Sequence, residues 1–164
     1  MPNPGVKLDD ATLRILDALQ QNAELSSAEL AEIVNLSASP CWRRVADLRD
    51  QGIIRGSVVL ADPVKLGLLV NVFVHVTLDK QDKASLRVFT DAIEGRPEVM
   101  ECYLMTGEAD FMLRVVVEDL LRYQELVLDC LTQIPGVSKI RSSFALTQVK
   151  YTTALPTAHL RGAR

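Results

Sequence analysis

Residues 70–78 read Val-Asn-Val-Phe-Val-His-Val-Thr-Leu, in which every second side chain is a branched apolar one. This period of two is typical of a β-strand with one buried face. Before Gly52 the apolar residues recur instead at the three- and four-residue spacing of α-helices. The change of period near Asp62-Pro63 predicts a first domain over 1–60, a linker over 61–67, a second domain over 68–153 and a tail over 154–164.

The composition is that of a soluble globular protein. The 164 residues include 18 basic and 21 acidic side chains, and 48% are hydrophobic. These values exclude a disordered, collagenous or polycationic chain. The apolar stretch from Gly67 to Leu78 is too short to span a membrane, and the first ten residues lack the apolar segment of a signal peptide. We therefore expect a cytoplasmic protein with no membrane partner.

The residue types that carry most catalytic and metal chemistry are sparse. Cys41, Cys102 and Cys130 are odd in number and form no Cys-x-x-Cys pair, which disfavours disulfides and structural zinc. We expect reduced thiols packed as small apolar groups, with redox sensing as the alternative. The sequence also contains no nucleophile–base pairing, clustered carboxylates or glycine-rich phosphate loop. It predicts no catalytic residue, no metal, no cofactor and no enzyme activity.

The first domain has the pattern of three helices. The first is expected to begin near Asp9, because a carboxylate suits a helix N-terminus. The second opens with the capping box Ser26-x-x-Glu29, in which each side chain satisfies a backbone donor. The third is expected to begin after Ser37 and to be followed by a short strand pair, or wing, over residues 53–60.

The third helix has two different faces at 100° per residue. Cys41 and Leu48 fall on the side that predicts core, whereas Trp42 and Arg43 fall on the outward side. Small hydroxyl residues followed by arginine suit a recognition helix that enters the DNA major groove. The alternatives are a solvated amphipathic helix and surface ion pairs with nearby acidic side chains. The candidate DNA-binding residues are Ser27, Ser37, Ser39, Trp42, Arg43 and Arg44.

The second half predicts the order strand, helix, strand, strand, helix, strand. The expected ranges are 68–78, 83–94, 99–105, 111–117, 120–133 and 137–151. This βαββαβ order is a ferredoxin-like unit, in which both helices cover one face of an antiparallel sheet. The fold class is therefore α+β, a three-helix (winged) helix-turn-helix followed by a ferredoxin-like domain. The sheet face without helices would expose apolar side chains such as Phe73, with His75 among them. An exposed apolar face of this kind predicts contact with a second copy of the chain.

Two blocks of the sequence stand out, the run from Leu36 to Val45 and, further along the chain, the run from Glu101 to Phe111. In this order they resemble the leucine-responsive regulatory protein/AsnC (Lrp/AsnC, feast-famine) transcription regulators, and the likeness covers about Leu8 to Pro156. The first block is similar to the family's recognition helix, and the second resembles its effector-domain hairpin. The segments 141–146 and 151–156 further resemble the subgroup of local activators of amino-acid catabolism genes. The chain departs from many members after the Arg-Val step, where it has alanine and aspartate in place of basic residues.

The resemblance implies a DNA-binding transcription regulator of amino-acid metabolism genes, modulated by a small amino-acid effector held between subunits. It implies double-stranded DNA as a partner and a homodimer that assembles into tetramers or octamers. In the loop 106–110, Gly107 would let backbone donors approach the effector carboxylate, and Asp110 or Glu108 would accept from its ammonium. The residues of this loop are equally typical of a plain hairpin turn, and only the resemblance favours the effector site. The candidate effector-binding residues are Tyr103, Met105, Thr106, Gly107, Asp110 and Ser142.

Two other functions are compatible with the same residues. One is an architectural, nucleoid-like protein that binds DNA with weak sequence preference and without an effector. The other is a ferredoxin-like regulatory module that controls an enzyme, in which the helical domain docks onto protein. DNA footprinting distinguishes the first from a regulator, because a regulator gives phased half-sites and an architectural protein gives uniform coverage.

Overall fold

The computed structural model describes residues 8–161. The parts of the expected tails over 1–7 and 162–164 lie outside the described residues. Residues 8–59 together with 150–161 form one compact unit, here called the helical unit, and residues 60–149 form the other, here called the sheet unit. Across the described range, no helix combines the length and the apolar character needed to cross a membrane.

Each helix of the helical unit begins at the residue that the sequence predicts as its cap. Asp9 caps the first helix, because its Oδ1 accepts from the backbone N of Thr12 at 2.8 Å. The capping box is confirmed, since Ser26 Oγ accepts from Glu29 N at 3.2 Å and Glu29 Oε2 accepts from Ser26 N at 2.9 Å. Ser37 occupies the third cap position, although its hydroxyl makes no capping bond. The helices are α1 (Asp10–Gln21), α2 (Ser27–Val34) and α3 (Ala38–Asp50).

The core of the helical unit lies between the three helices. Asn35 ends α2 in the left-handed conformation, with a φ of 55°, and turns the chain into α3. Ile33, which the helical pattern places in the core, is 58% exposed. The buried residues of α2 are Leu30, Ala31 and Val34, and at 100° per residue Ile33 lies outside the face that these three share. The buried cluster consists of Ile15, Leu30, Ala31, Val34, Cys41 and Leu48.

The wing predicted over residues 53–60 is wrong for this chain. None of these eight described residues forms a strand. The backbone N–H groups of Ile53 and Ile54 donate to the carbonyl of Leu48 at 2.9 and 3.0 Å, which closes the end of α3. Beyond them, Val58 and Val59 are 81% and 93% exposed. A strand requires a second strand to accept its backbone hydrogen bonds, and this segment has none among the described residues.

The sheet unit has the predicted βαββαβ order. Its elements are β1 (Val70–Leu78), α4 (Lys83–Glu94), β2 (Val99–Leu104), β3 (Phe111–Val117), α5 (Leu120–Asp129) and β4 (Val137–Phe144). The strands pair antiparallel in the order β2-β3-β1-β4. Both helices bury their apolar sides against one sheet face, where the rings of Phe89 and Phe111 stack with centroids 4.3 Å apart. The opposite face, here called the open face, carries neither helix.

The last strand is shorter than the predicted range 137–151. Its final residue, Phe144, pairs with Val72 near the start of β1, and Ala145 N still donates to Asn71 O at 2.9 Å. Since β1 begins at Val70, the following residues have no strand to pair with. A period of two in the sequence therefore does not extend a strand beyond the point where the neighbouring strand ends.

The three cysteines do not share one environment. Cys41 and Cys130 are buried as expected, whereas Cys102 is exposed. Cys102 lies on the edge strand β2 opposite Leu113, so it belongs to the helix-covered side of the sheet. The expectation that Cys102 packs in the core is wrong, because the helices cover the central strands more completely than this edge.

Candidate nucleic-acid interface and ligand site

The outward side of α3 presents an aromatic ring and a guanidinium group. Trp42 is 66% exposed, while Cys41 beside it is completely buried in the helical core. Arg43 is exposed and forms no ion pair with any described residue. The helix is thus held by one face and leaves the other available, which is the arrangement that insertion into a major groove requires.

Three candidate serines lie at the starts of α2 and α3. Ser27 is the first residue of α2, and Ser37 and Ser39 lie at the start of α3; all three are exposed. Helix N-termini carry partial positive charge and free N–H groups, both of which favour phosphate. The Ser37 hydroxyl makes no capping bond, so its oxygen is not used as an acceptor at this helix start.

Arg44 is used inside the helical unit. Its Nη1 donates to both carboxylate oxygens of Asp9 at 2.7 Å and to Thr12 Oγ1 at 2.6 Å. The Arg44 side chain is 31% exposed and lies against α1. This arrangement differs from the predicted phosphate contact, and it also differs from the alternative, an ion pair with acidic residues of α3. The hydrogen bonds from Thr12, together with Arg44, hold the pKa of Asp9 at about 2, below its ordinary 3.8.

Two cations near the end of α3 belong to no motif of the sequence. Arg49 lies in its last turn, and Arg55 follows it. Both are exposed, and neither forms an ion pair within residues 8–161. The only sign in the sequence that Arg49 and Arg55 could contact DNA is their positive charge. Whether they approach DNA depends on where α3 ends and on the path of the chain beyond it.

The hairpin loop between β2 and β3 holds the expected glycine. Gly107 has a φ of 122°, which only glycine adopts without strain, and Met105 N donates to Asp110 O at 2.8 Å across the loop. The Asp110 side chain is 4% exposed, and its Oδ2 accepts from the backbone N of Leu78 at 2.7 Å. This carboxylate therefore satisfies a buried backbone donor, while Thr106 and Gly107 remain exposed.

Two other candidate effector residues lie on opposite faces of the sheet. Ser142 pairs with Val74, whose side chain is in the core, and its hydroxyl is hydrogen-bonded to that of Tyr123 on α5. Tyr103 lies on the open face, where its hydroxyl donates to Glu101 Oε2 at 2.8 Å. The hydrogen bond to this carboxylate, and its charge, raise the pKa of Tyr103. The structure thus does not bring Ser142 together with Tyr103.

The open face is more polar than the predicted apolar patch. Arg114 lies across its centre, where Nη1 is 3.0 Å from Glu101 Oε1 and Nε donates to Asn71 Oδ1 at 3.4 Å. The Arg114 side chain is 19% exposed, which is low for an arginine on an uncovered face. Half-buried Phe73 lies opposite it in the strand register. A partner on this face would meet both an ion pair and apolar side chains.

A cavity of about 360 Å³ lies at one end of the open face. β1 and β4 place two pairs of side chains there, since His75 pairs with Arg141 and Thr77 with Lys139. The sequence alone does not place Arg141 and Lys139 here, because strand register decides which residues of β4 lie opposite His75 and Thr77. The cavity is lined by His75, Thr77, Glu108, Ala109, Lys139 and Arg141.

Comparison with known proteins agrees with this architecture. Residues 8–55 match a winged helix-turn-helix DNA-binding model, and residues 71–155 match the Lrp/AsnC ligand binding domain. The chain is similar to the DNA-binding transcriptional activator DecR of Escherichia coli K12, with 41% identity over 91% of this chain and 98% of the relative. It is 44% identical to the Bkd operon transcriptional regulator of Pseudomonas aeruginosa over 92% of this chain and 98% of that protein.

A solved structure shows the same fold. It is a transcriptional regulator of Neisseria meningitidis in complex with L-Met, with a TM-score of 0.90 and 38% identity over 93% of this chain and 99% of that one. The relatives are DNA-binding transcription regulators and not enzymes, in agreement with the sequence prediction. With its helix-turn-helix and its ligand-binding domain in the same order as theirs, the chain belongs to the Lrp/AsnC family of transcription regulators.

Proposed function

We propose that this protein reads operator half-sites with α3 and regulates amino-acid metabolism genes in response to a small amino acid. The observation that carries the DNA-binding part is the exposure of Trp42 and Arg43 on a helix whose opposite side is fixed in the core. In this proposal Arg43 contacts a guanine edge or a phosphate, and Ser39 and Trp42 contribute to specificity. Ser27 and Ser37 contact phosphates at helix N-termini.

Arg44 has a different role in this proposal. Because it is bound to Asp9 and Thr12, it fixes α3 against α1 and acts on DNA through the position of the helix. Arg43 is therefore the principal cation of the recognition surface. A single arginine gives modest affinity, so a second copy of the chain is required for tight binding.

The open face of the sheet is the surface we propose for that second copy. A two-fold interface uses the same patch twice, and Phe73 beside the Arg114–Glu101 pair offers both apolar area and charge. Such a dimer would present two α3 helices to half-sites about 34 Å apart, one turn of DNA. The family resemblance extends this arrangement to tetramers and octamers, with the effector between subunits.

Effector control would act by linkage. An amino acid that binds one assembly or dimer geometry more tightly than another shifts the population toward it and changes the spacing of the recognition helices. The L-Met bound to the Neisseria meningitidis neighbour and the match to a ligand-binding domain support an amino-acid ligand here. The exposed backbone of Thr106 and Gly107 lies next to the cavity on the open face and belongs to the proposed binding region.

The DNA-binding part is tested with the region upstream of the protein's own gene. Trp42 is the single tryptophan, so its fluorescence should change on addition of this DNA and should report binding without a label. Arg43→Ala should weaken binding about tenfold or more, since a good arginine–guanine contact is worth about 1–3 kcal/mol. Arg122→Ala on α5 is the matched control. Uniform footprinting without phased half-sites would instead indicate architectural DNA binding.

The sensing part is tested by a thermal-shift screen of the full-length protein against the twenty amino acids at millimolar concentration. A ligand at a hundred times its Kd stabilises by about 2.7 kcal/mol, which corresponds to about 5–10 °C for a chain of this size. The same amino acid should alter oligomer size or operator affinity. If none of the twenty changes Tm, oligomer size or operator binding, the sensing part is wrong.

A further inference from the structure

The chain enters the helical unit twice. Residues 8–59 form α1 to α3, residues 60–149 form the sheet unit, and residues 150–161, here called the strap, belong to the helical unit again. The strap begins shortly after β4, which ends at Phe144. The six residues from 145 to 150 span at most about 22 Å when fully extended. The helical unit is therefore tied covalently to the sheet unit twice, through the linker before β1 and through the segment after β4.

The strap is hydrogen-bonded to α1. Near the end of that helix, Gln20 Oε1 accepts from Leu155 N at 2.7 Å, and Gln20 Nε2 donates to Leu155 O at 3.1 Å. One turn earlier, Asp17 Oδ1 accepts from Thr157 Oγ1 at 2.7 Å. The Gln20 amide thus bonds both backbone groups of one strap residue, as a neighbouring strand would. These bonds hold the middle of the strap against the second half of α1.

An arginine extends the contact toward the start of α1. Arg161 Nη2 forms an ion pair with Asp17 Oδ2, and Arg161 Nη1 is 3.5 Å from Asp10 Oδ1. Asp10 is the first residue of α1. Strap residues of rising number, from Leu155 to Arg161, thus meet α1 residues of falling number. The strap therefore runs antiparallel to α1 and contacts it from its last turn to its first.

The strap is attached to the surface of the helical unit. Among the described residues, the buried cluster of this unit consists of side chains of α1, α2 and α3. Leu155 is 75% exposed, and the Arg161 side chain is 39% exposed. A groove of about 580 Å³ lies between the strap and α1. Exposed hydrogen bonds and ion pairs contribute little each, so the strap can detach while the three helices stay folded.

The contact with α1 holds the whole helical unit. Asp9 at the start of α1 is bonded to Arg44 of α3, and the three helices share one buried cluster. The recognition surface with Trp42 and Arg43 therefore moves together with α1. With the strap attached, the helical unit has two ties to the sheet unit, whereas with the strap detached only the linker 60–69 remains. A second tie reduces the range of positions that a tethered unit reaches.

We propose that the strap selects the spacing of the DNA half-sites, because it limits how far the helical unit of each subunit moves relative to its sheet unit. This inference rests on the proposed function, in which a dimer reads two half-sites about one turn of DNA apart. When the spacing matches the tethered positions, the second recognition helix binds at a high effective concentration. Detachment of the strap lets the same dimer accept other spacings. Gln20, Thr157 and Arg161 are thus positioning residues, which act on DNA binding without touching DNA.

The experiment compares two duplexes from the region upstream of the protein's own gene. One has the natural half-site spacing, and the other has five inserted base pairs, about half a turn. By Trp42 fluorescence, wild type should bind the inserted duplex about tenfold more weakly, because only one recognition helix then meets its half-site. The full-length double variant Gln20→Ala/Thr157→Ala should lose less than about threefold on insertion. Gln21→Ala, on α1 but without a hydrogen bond to the described strap, should behave as wild type.

Two further measurements define what the double variant changes. Hydrogen exchange over residues 150–161 should be faster than in wild type, which shows that the strap is detached. Binding to a duplex with a single half-site should equal that of wild type, because α3 itself is unaltered. If the strap stays protected from exchange, Asp17→Lys is added to the double variant, since it places a like charge opposite Arg161.

Each other outcome has a defined meaning. A detached strap with an unchanged loss of affinity on insertion would overturn this inference and leave half-site reading intact. Weaker binding of the single half-site would also overturn it, since the strap would then shape the DNA-reading surface itself. A strap that stays protected even with Asp17→Lys would overturn it as a fixed part of the fold. If wild type binds both duplexes equally, the inference fails together with the proposed reading of phased half-sites by a dimer.

Discussion

Arg44 on α3 donates to both carboxylate oxygens of Asp9, the residue that caps α1, at 2.7 Å. The same carboxylate accepts from the backbone of Thr12, so one side chain both starts α1 and anchors α3. This relationship assigns different tasks to two adjacent arginines. Arg44 fixes the recognition helix within its unit, and Arg43 remains exposed on the outward side.

Substitution of the two arginines should therefore give opposite results. Arg43→Ala should weaken operator binding about tenfold or more and leave Tm unchanged, because the side chain forms no described ion pair. Arg44→Ala should lower Tm by about 2–4 °C, since a partly exposed pair contributes about 1 kcal/mol at most in a chain of this size. Its operator affinity at a temperature where it is folded should change less than that of Arg43→Ala. Titration of Trp42 fluorescence measures operator affinity, and a thermal melt measures Tm. An unchanged Tm with a tenfold loss of affinity in Arg44→Ala would contradict the assignment of helix anchoring to Arg44 and of DNA contact to Arg43.

The cap of α1 should also give the protein a defined acid sensitivity. The pKa of Asp9 falls from 3.8 to about 2 on folding, because Thr12 donates to the carboxylate and Arg44 adds a further hydrogen bond and charge. A lowered pKa means that the stabilisation is complete above about pH 4 and is lost as the pH falls through about 2. Asp9→Asn should be less stable by under about 1 kcal/mol near neutral pH, since the carboxylate is exposed. Urea unfolding should show this difference closing between pH 4 and pH 2.

The control for this pH experiment is Asp50→Asn, which removes an exposed carboxylate that forms no hydrogen bond within the described residues. A difference in the free energy of unfolding between wild type and Asp9→Asn that persists unchanged at pH 2 would show that the charge of Asp9 does not contribute to stability through its lowered pKa. Asn is itself a good helix cap, so the comparison isolates the charge from the capping hydrogen bond.

Asp110 should act in folding and Glu108 in ligand binding, although both lie in the same loop. Asp110→Ala leaves the buried N–H of Leu78 without its acceptor, which costs about 1–3 kcal/mol and lowers Tm by several degrees. Glu108→Ala changes an exposed side chain, so its stability should stay within about 0.5 kcal/mol. Thermal melts and calorimetry with an amino acid that binds wild type should separate the two. An unchanged Tm in Asp110→Ala would show that its hydrogen bond is dispensable.

The C-terminal segment of the helical unit should depend on one glutamine. Gln20 Oε1 accepts from Leu155 N at 2.7 Å, and Gln20 Nε2 donates to Leu155 O at 3.1 Å. Gln20→Ala removes both bonds, so the Leu155 amide should exchange with solvent about 2–10 times faster, as expected for the loss of about 0.5–1.5 kcal/mol. Hydrogen-exchange measurements should show the change around residues 150–161. Gln21→Ala is the matched control, and equal exchange in the two variants would contradict the role of Gln20.

Local signals were sufficient for the helix starts and for the buried face of β1. The capping box Ser26-x-x-Glu29 depends on residues three apart, and the burial of Val72, Val74 and Val76 follows from the period of two. The order of elements followed from the same patterns, because a change of period is visible in the sequence itself. These features require no partner from a distant part of the chain.

The C-terminal residues illustrate a limit of such patterns. The lack of periodicity in residues 154–164 predicts a tail, yet Thr157 Oγ1 donates to Asp17 Oδ1 at 2.7 Å and Leu155 N donates to Gln20 Oε1. These contacts join residues 135 or more positions apart. Hydrogen bonds of this kind leave no period in the sequence, since a single polar side chain is enough to form them.

Helix and strand periods and short motifs are properties of neighbouring residues, so they were enough to predict the family, the two kinds of domain and the outward position of Arg43. Only the folded chain shows that Arg44 binds Asp9, that Asp110 accepts from the backbone N of Leu78, and that Ser142 lies on the helix-covered face. It also placed Arg141 opposite His75. Strand register and long-range hydrogen bonds depend on which distant segments pack together, and this packing is settled only when the whole core forms.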